Sequence, residues 1–291
     1  MPELPEVEVI RRRLAPLLVD RCIRKVVTTR DSYLFLTKPA VLRRRLVGRT
    51  VEALGRRGKY LLARLDDGSR LVVHLGMTGQ LFSSQASSPR LLSGTARGAL
   101  LPEAQAGFRP DAHTHLRLCF EDDGSDLFLR DVRKFGKVLL LDREQSHPRL
   151  DRLGVDALEV SGDMLFRATR GRSVAIKNLL LDQAVIAGVG NIYADEALFR
   201  GGVSPRRRAR RVTRRECAAL AEAIRRVLKR SIETGGSSIR DYVMPDGSDG
   251  SFQNERRIYA RAGEPCGSCG APIRRIVLGQ RGTHYCPRCQ R

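Results

Sequence analysis

Short β-rich runs recur over the first half of the chain, and apolar positions recur at helical spacing over the second. The short runs cover residues 22–29, 50–54, 59–65, 70–75, 115–120, 126–129 and 137–141. Turn residues such as Asp66-Asp67-Gly68 and Asp122-Asp123-Gly124 separate them, which predicts hairpins closing a β-sandwich or barrel. A helix fronts this region: Pro5 suits a first helical position, Glu6 and Glu8 suit the positive end of a helix dipole, and Arg11, Arg12 and Arg13 follow toward the other end. Residues 142–155, charged and containing Pro148 and Gly154, break the strand pattern and read as a linker. Beyond it, residues 175–182 form a short amphipathic segment, and Gly188-Val189-Gly190 turns into a second helix. Thr213 and Glu216 form a capping box for a third, whose stripe is Cys217, Leu220, Ala221, Ile224, Val227, Leu228 and Ile232, with Gly235-Gly236 at its end. The expected class is α+β: residues 1–150 an N-terminal β-sandwich fronted by a helix, 151–257 a helical domain, and 258–291 a small metal module. Residues 83–112 hold no sustained periodicity and read as a long insert.

Charge narrows the partner. Lys and Arg number 53 against 32 Asp and Glu, a formal +21, which favours polyanions and supplies the sequence-independent part of nucleic-acid binding. An anionic membrane surface or plain solubility are the other readings of the same surplus. No run of 18 apolar residues and no signal-peptide pattern is present, so a cytosolic protein is expected.

Of seven cysteines, Cys22, Cys119 and Cys217 are scattered and read as small buried hydrophobes. The other four form two C-x-x-C knuckles, Cys266/Cys269 and Cys286/Cys289, 16 residues apart. That spacing fits a closed tetrahedral site for one structural Zn2+, with disulfides or a redox pair as the alternative. Between the knuckles, residues 274–278 and 283–285 suit a hairpin with 279–282 at its tip, where Arg281 is poised for a phosphate.

The chemistry-bearing candidate is the N-terminus. With the initiator methionine removed, Pro2 presents a secondary α-amine; α-amines titrate near about 7.7–8.0 against about 10.4 for lysine, so a useful fraction is nucleophilic at neutral pH. Attack on an aldehyde-level carbon gives an iminium with no N–H to lose, an electron sink beside which Glu3 can move a proton. The same residues equally well start a helix.

Met-Pro-Glu-Leu-Pro-Glu-Val-Glu, residues 1–8, resembles the N-terminal signature of the formamidopyrimidine-DNA glycosylase family, base-excision enzymes whose mature N-terminal proline is the nucleophile. The likeness continues through most of the chain, with the 83–112 insert as its main gap. It implies that Lys59, in Lys-Tyr-Leu-Leu, donates a proton during elimination. Met77 of the 74–79 turn, with Arg133 and Phe135 of the 131–136 turn, corresponds to the side chains that fill the void left by a flipped base. Lys134 stands where the family more often has arginine; it keeps the charge without the bidentate fork and is assigned a phosphate contact. His113 is implied to touch DNA. Val-Gly-Asn-Ile-Tyr-Ala resembles the family's helix-two-turns-helix motif, in which Asn191 and Lys177 grip backbone phosphates. Where relatives often carry another DNA-contacting lysine this chain has Ser173, near Arg170 and Arg172. Arg281 is implied to contact the lesion and serve the second elimination, and residues 248–252 to cap the flipped base.

The activity implied is a monomeric glycosylase and abasic-site lyase for oxidised purines in double-stranded DNA. Two alternatives stand beside it. One is an enzyme resembling endonuclease VIII that uses the same amine on oxidised pyrimidines; the other is a non-catalytic zinc-ribbon DNA-binding protein.

Overall fold

Strands form over the β-rich runs, and they build two four-stranded antiparallel sheets. The computed structural model describes residues 2–86, 108, 110–122, 124–239 and 241–291, so most of the 83–112 insert lies outside the described residues. In chain order the first unit contains α1 (Leu4–Leu18), β1 (Ile23–Thr28), α2 (Pro39–Leu46), β2 (Val51–Arg57), β3 (Tyr60–Leu65), β4 (Arg70–His74), β5 (Gly79–Ser83), β6 (Thr114–Phe120), β7 (Leu127–Asp131) and β8 (Lys137–Leu141). One sheet has the order β1-β6-β7-β5 and the other β2-β3-β4-β8. Ile23, Leu81, Leu116 and Leu127 from the first meet Val51, Leu65 and Leu71 from the second around one apolar interior, closed by Leu18 of α1. Burying each such side chain contributes roughly 1.5–3 kcal/mol, which makes this interior the scaffold for the turns at its edges.

The second unit contains α3 (Pro148–Asp151), β9 (Val155–Asp156), α4 (Gly162–Thr169), α5 (Ile176–Leu181), β10 (Ile186–Ala187), α6 (Asn191–Arg200), α7 (Arg214–Glu233), β11 (Arg274–Leu278) and β12 (Arg281–Tyr285). α7 opens on a reciprocal capping box: Thr213 Oγ1 accepts the Glu216 N–H at 3.2 Å and Glu216 Oε2 accepts the Thr213 N–H at 2.9 Å. Its stripe packs on α4 and α6, while β12 packs on α6.

Two groupings follow from the packing of the chain. Residues 235–251 group with the first unit, and the metal module groups with the helices rather than standing alone. The cause of the first is specific: Glu6 Oε1 accepts the Ser237 N–H at 2.9 Å, Gln80 Nε2 donates to the Asp241 carbonyl at 2.7 Å, and Val243 packs against Phe82 and Phe128. The apolar stripe of α7 ends at Ile232, and the chain then satisfies its polar groups on the sandwich.

Candidate active site and nucleic-acid interface

α1 carries the N-terminal candidates. Glu3 is its N-cap, Pro5 lies in its first turn, and Glu6 Oε2 accepts the Glu3 N–H at 2.8 Å. The residues that start the helix also bury Pro2 and Glu3, the latter only 2 % exposed. Further along, Glu8 gathers three guanidinium groups, from Arg11 and Arg12 at 2.8 Å and from Arg56 at 3.0 Å. Burial alone would raise the Glu8 carboxyl, but these hydrogen bonds outweigh it and hold the pKa at about 2. Arg56 then donates Nη1 to the Gly58 carbonyl at 3.0 Å. Gly58 has φ +56°, a left-handed turn conformation suited to glycine, and the next residue is the buried Lys59. Since α1 packs on β2 and β3, the arginine bridge ties the helix of Pro2 to the turn that presents Lys59.

The void-filling candidates sit on two turns built against each other. Gly76 has φ +61°, and a Cβ there would stand 2.5 Å from the Phe135 carbonyl carbon, so only glycine permits this approach. Buried Asp131 organises the second turn: it accepts from the Thr78 hydroxyl at 2.5 Å, the Arg133 N–H at 3.2 Å and the Gly136 N–H at 2.7 Å. The side chains between are presented outward. Arg133, Lys134 and Phe135 are exposed, and the Arg133 guanidinium lies 4.5 Å from the centre of the Phe135 ring. Met77 is half-buried at the head of the first turn. His113 is also brought here, its carbonyl accepting the Asp131 N–H at 2.9 Å.

Sequence reasoning missed the supports of these turns. His115 is buried, with Nε2 donating to the Asp131 carbonyl at 3.0 Å and Nδ1 facing the Thr29 hydroxyl at 3.1 Å. Burial pushes its pKa below the ordinary histidine value, so it serves as a neutral brace. Asp111 and Gln80 fix Arg130 at 2.9 Å and 3.1 Å. No spacing along the chain announces these partners.

In the second unit Asn191 is the first residue of α6, with Gly190 as its N-cap. Asn191 Nδ2 donates to the Gly282 carbonyl at 3.0 Å, which leaves its second amide hydrogen and the positive end of the helix as the phosphate-attracting features. Lys177 departs from expectation. It is fully buried: its ammonium lies 2.7 Å from Asp195 Oδ1 in an ion pair and donates to Thr283 Oγ1 at 2.8 Å and the Gly282 carbonyl at 3.1 Å. With no solvent contact it is not presented to a phosphate; it anchors the hairpin instead. Asp195 accepts in addition from the His284 N–H at 2.9 Å. Upstream, both arginines are exposed and both are engaged, Arg170 with the Val212 carbonyl at 2.7 Å and Arg172 with Asp182 at 3.5 Å.

The hairpin tip is tighter than the sequence suggested. Gly279 and Gln280 both have positive φ and form a two-residue turn, so Arg281 is the first residue of β12, paired with Leu278 and exposed. Of the segment expected to cap a base, Ser248 and Ser251 are exposed, but Phe252 is buried against Tyr193 at 5.4 Å and belongs to the core.

The four clustered cysteines fit a metal. Their sulfur atoms lie within 4.8 Å of one another, with Cys266–Cys289 at 3.9 Å and Cys269–Cys286 at 3.5 Å. A tetrahedron with Zn–S bonds of about 2.3 Å has edges of roughly 3.8 Å. All four are free thiols, which sets aside the disulfide alternative. Ile258 and Ile273 pack beneath them, so one structural zinc would clamp the hairpin base to the second unit's core.

Comparison with known proteins accounts for the whole arrangement. Residues 1–138 match the formamidopyrimidine-DNA glycosylase N-terminal domain, 153–243 the H2TH domain of the same enzymes, and 263–291 a zinc finger found in FPG and IleRS. The formamidopyrimidine-DNA glycosylase of Stutzerimonas stutzeri is 44% identical, with 100% of both chains covered. The MutM (FPG) protein of Thermus thermophilus is 40% identical, with TM-score 0.83 over 99% of this chain and 98% of that one. A Lactococcus lactis FPG mutant in complex with Fapy-dG-containing DNA is 34% identical, with TM-score 0.85 over 100% of each chain. The chain belongs to the formamidopyrimidine-DNA glycosylase family.

Proposed function

We propose that this chain is a bifunctional DNA glycosylase and abasic-site lyase of base excision repair that removes oxidised purines such as 8-oxoguanine and formamidopyrimidines. The observation that carries the proposal is the buried Pro2-Glu3 pair at the head of α1, tied through Glu8, Arg56 and Gly58 to the turn bearing Lys59. That arrangement sets an amine, a carboxylate and a lysine on adjoining elements of one rigid sandwich.

With the damaged nucleotide out of the stack, the Pro2 nitrogen attacks the sugar C1′. The glycosidic electrons leave with the base, which takes a proton. The sugar ring then opens at the C1′–O4′ bond, O4′ taking the proton that Glu3 moves, and the nitrogen lone pair forms the iminium. This cation acidifies the C2′ proton; loss of that proton expels the 3′ phosphate, and a second elimination expels the 5′ phosphate. Lys59 donates a proton during elimination, and Arg281 contacts the phosphate of the lesion strand. Unstacking costs a few kcal/mol, offset when Met77 and Phe135 occupy the vacated space and Arg133 meets the unpaired base. Lys134, His113 and Asn191 contact the backbone. Zinc braces the hairpin of Arg281 and takes no part in bond breaking. A cytosolic setting accompanies this reading: among the described residues no helix is long and apolar enough to cross a membrane.

Borohydride trapping on a duplex with 8-oxoguanine opposite cytosine tests the proposal, with the N-terminal mass determined on the same sample. A covalent adduct is expected that disappears in Pro2→Gly, and Glu3→Gln is expected to lower excision at least 100-fold with duplex affinity retained. If protein shown to lack Met1 gives no adduct there but traps on thymine glycol, the oxidised-pyrimidine alternative replaces this one. Loss of binding in step with activity in both variants would remove the assigned roles.

A further inference from the structure

The basic surplus is concentrated on a face that the reading above leaves unused. α7 turns Leu220, Ile224, Val227 and Leu228 inward. Its other side, with Arg200 from the end of α6, borders a cavity of about 530 Å3 in which five of eight lining residues are Arg or Lys. Arg200 also lines a second cavity of about 410 Å3, where it joins Arg256, Arg257 and Arg261 against one acid, Glu255. The two therefore adjoin.

The carboxylates present do not neutralise this face. Glu222 pairs with Arg225, Glu233 and Glu255 with Arg230, Glu196 with Arg200 and Glu264 with Arg261. Arg226, Lys229, Arg256 and Arg257 have no carboxylate partner among the described residues, and Arg256 Nη1 is buried without an acceptor. Val227 is the one aliphatic residue of the two linings, and neither holds an aromatic ring. Protein interfaces are anchored by buried aromatic or aliphatic side chains, so a protein or apolar ligand finds no foothold here. A polyanion does.

This face is also remote from the one that bears Asn191. Asn191 opens α6 and Arg200 closes it, and ten helical residues span about 14 Å. A phosphate drawn to the start of α6 is thus a different phosphate from one held at Arg200.

We propose that the two adjoining cavities form a second nucleic-acid site, which holds the sugar-phosphate backbone of a separate DNA segment while the first site is occupied. This rests on the DNA-binding part of the reading above and not on its chemistry. A protein holding two segments at once passes directly from one to the other, so dissociation from the first quickens as undamaged DNA is added.

The test measures dissociation of full-length, zinc-loaded protein from a labelled short lesion duplex against rising concentrations of unlabelled, undamaged duplex. For the natural sequence the rate is expected to rise linearly with competitor. In Arg226→Gln/Lys229→Gln/Arg256→Gln, which keeps side-chain length while removing charge, the rate should become independent of competitor, with dissociation into buffer and excision on the short duplex unchanged. The salt slope of binding to a second duplex should fall by about 2–3, since each phosphate contact contributes roughly 0.9. A natural protein whose dissociation ignores competitor overturns the proposal. So does a variant that binds the short lesion duplex more weakly, because the face then serves the flank of the same duplex. A chain that excises nothing yet shows competitor-driven transfer would sink the glycosylase reading and leave the second site standing.

Discussion

Two turns in this molecule present exposed cationic side chains, and they are held by opposite means. In the sandwich, the turn bearing Arg133 and Phe135 closes around a single carboxylate, Asp131, whose partners are a hydroxyl and backbone N–H groups, with the neutral His115 behind it. In the second unit, the hairpin bearing Arg281 stands on four thiolates and a sealed ion pair, Lys177–Asp195, in which both side chains are 0 % exposed. The first turn grows from strands already fixed by a large apolar interior and needs only local hydrogen bonds. The second is a two-stranded hairpin, which by itself is marginal in water, so metal and buried charge supply what a core does not.

The comparison breaks most visibly at the metal. Zinc binding to such sites supplies on the order of 10 kcal/mol of folding free energy, whereas nothing in the sandwich depends on it. Chelation, or Cys269→Ser, should release β11 and β12 to free hydrogen exchange and weaken duplex binding at least 100-fold while protection in β3, β4 and β8 persists. Equal loss of protection in both units would show that the two turns are not independently supported.

Next in size is the buried pair. Removing one partner strands the other charge, which costs roughly 3–5 kcal/mol, while replacing both by apolar residues is milder. Lys177→Met should thus lower the second unit's stability by about that amount, and Lys177→Met/Asp195→Leu by clearly less. Denaturant titration of the three proteins checks the order. If the double variant is the least stable, the pair contributes attraction beyond what its desolvation removes.

These two cases also show what was legible along the chain. The zinc site lies within 24 residues, and its spacing states its geometry; the strand runs at 22–29 and 137–141 state theirs through their β-rich composition. Lys177 does not. A lysine in a short amphipathic segment reads as a surface cation, and the groups that bury it, Asp195 and Thr283, come from elements far along the chain. β5 escaped for a related reason: Gly79–Ser83 begins on a glycine and carries the polar Gln80, which is accommodated because it bonds Arg130 and the Asp241 carbonyl. Asp131 is visible as a turn residue, but its bond to Thr78, 53 positions away, is not.

Asp131→Asn probes the sandwich turn directly. The amide keeps one acceptor but sets an NH2 group against an N–H that the carboxylate now receives, at Gly136 or at Arg133. Hydrogen bonds to a charged acceptor contribute about 1.5–3 kcal/mol, so a loss of about 2 kcal/mol is expected. If the turn presents the void-filling side chains, kcat for excision should fall with little change in affinity for undamaged duplex. An unchanged kcat would show that the turn is held by the Gly76 approach alone.

The smallest effect asks whether the comparison concerns charge or location, because Glu8 is a charge cluster inside the sandwich. Its folded pKa, about 2, lies below the ordinary glutamate value of 4.5. A carboxylate with a depressed pKa stabilises the fold fully above its unfolded pKa, and the contribution fades as pH falls from about 5 toward the folded value. Arg12 is 59% exposed, so solvent screens part of the cluster, and on the order of 2 kcal/mol at neutral pH is the expected size. Stability of the first unit should therefore drop between pH 5 and pH 2 by about that much more in the natural sequence than in Glu8→Gln, as measured by urea titration at each pH. Parallel curves would mean that the arginines are as well solvated before folding as after it, and that even the linkage of α1 to the Lys59 turn is a matter of packing. A difference confined to this window would instead give the sandwich its own charged brace, placed between the helix that carries Pro2 and the turn that carries Lys59.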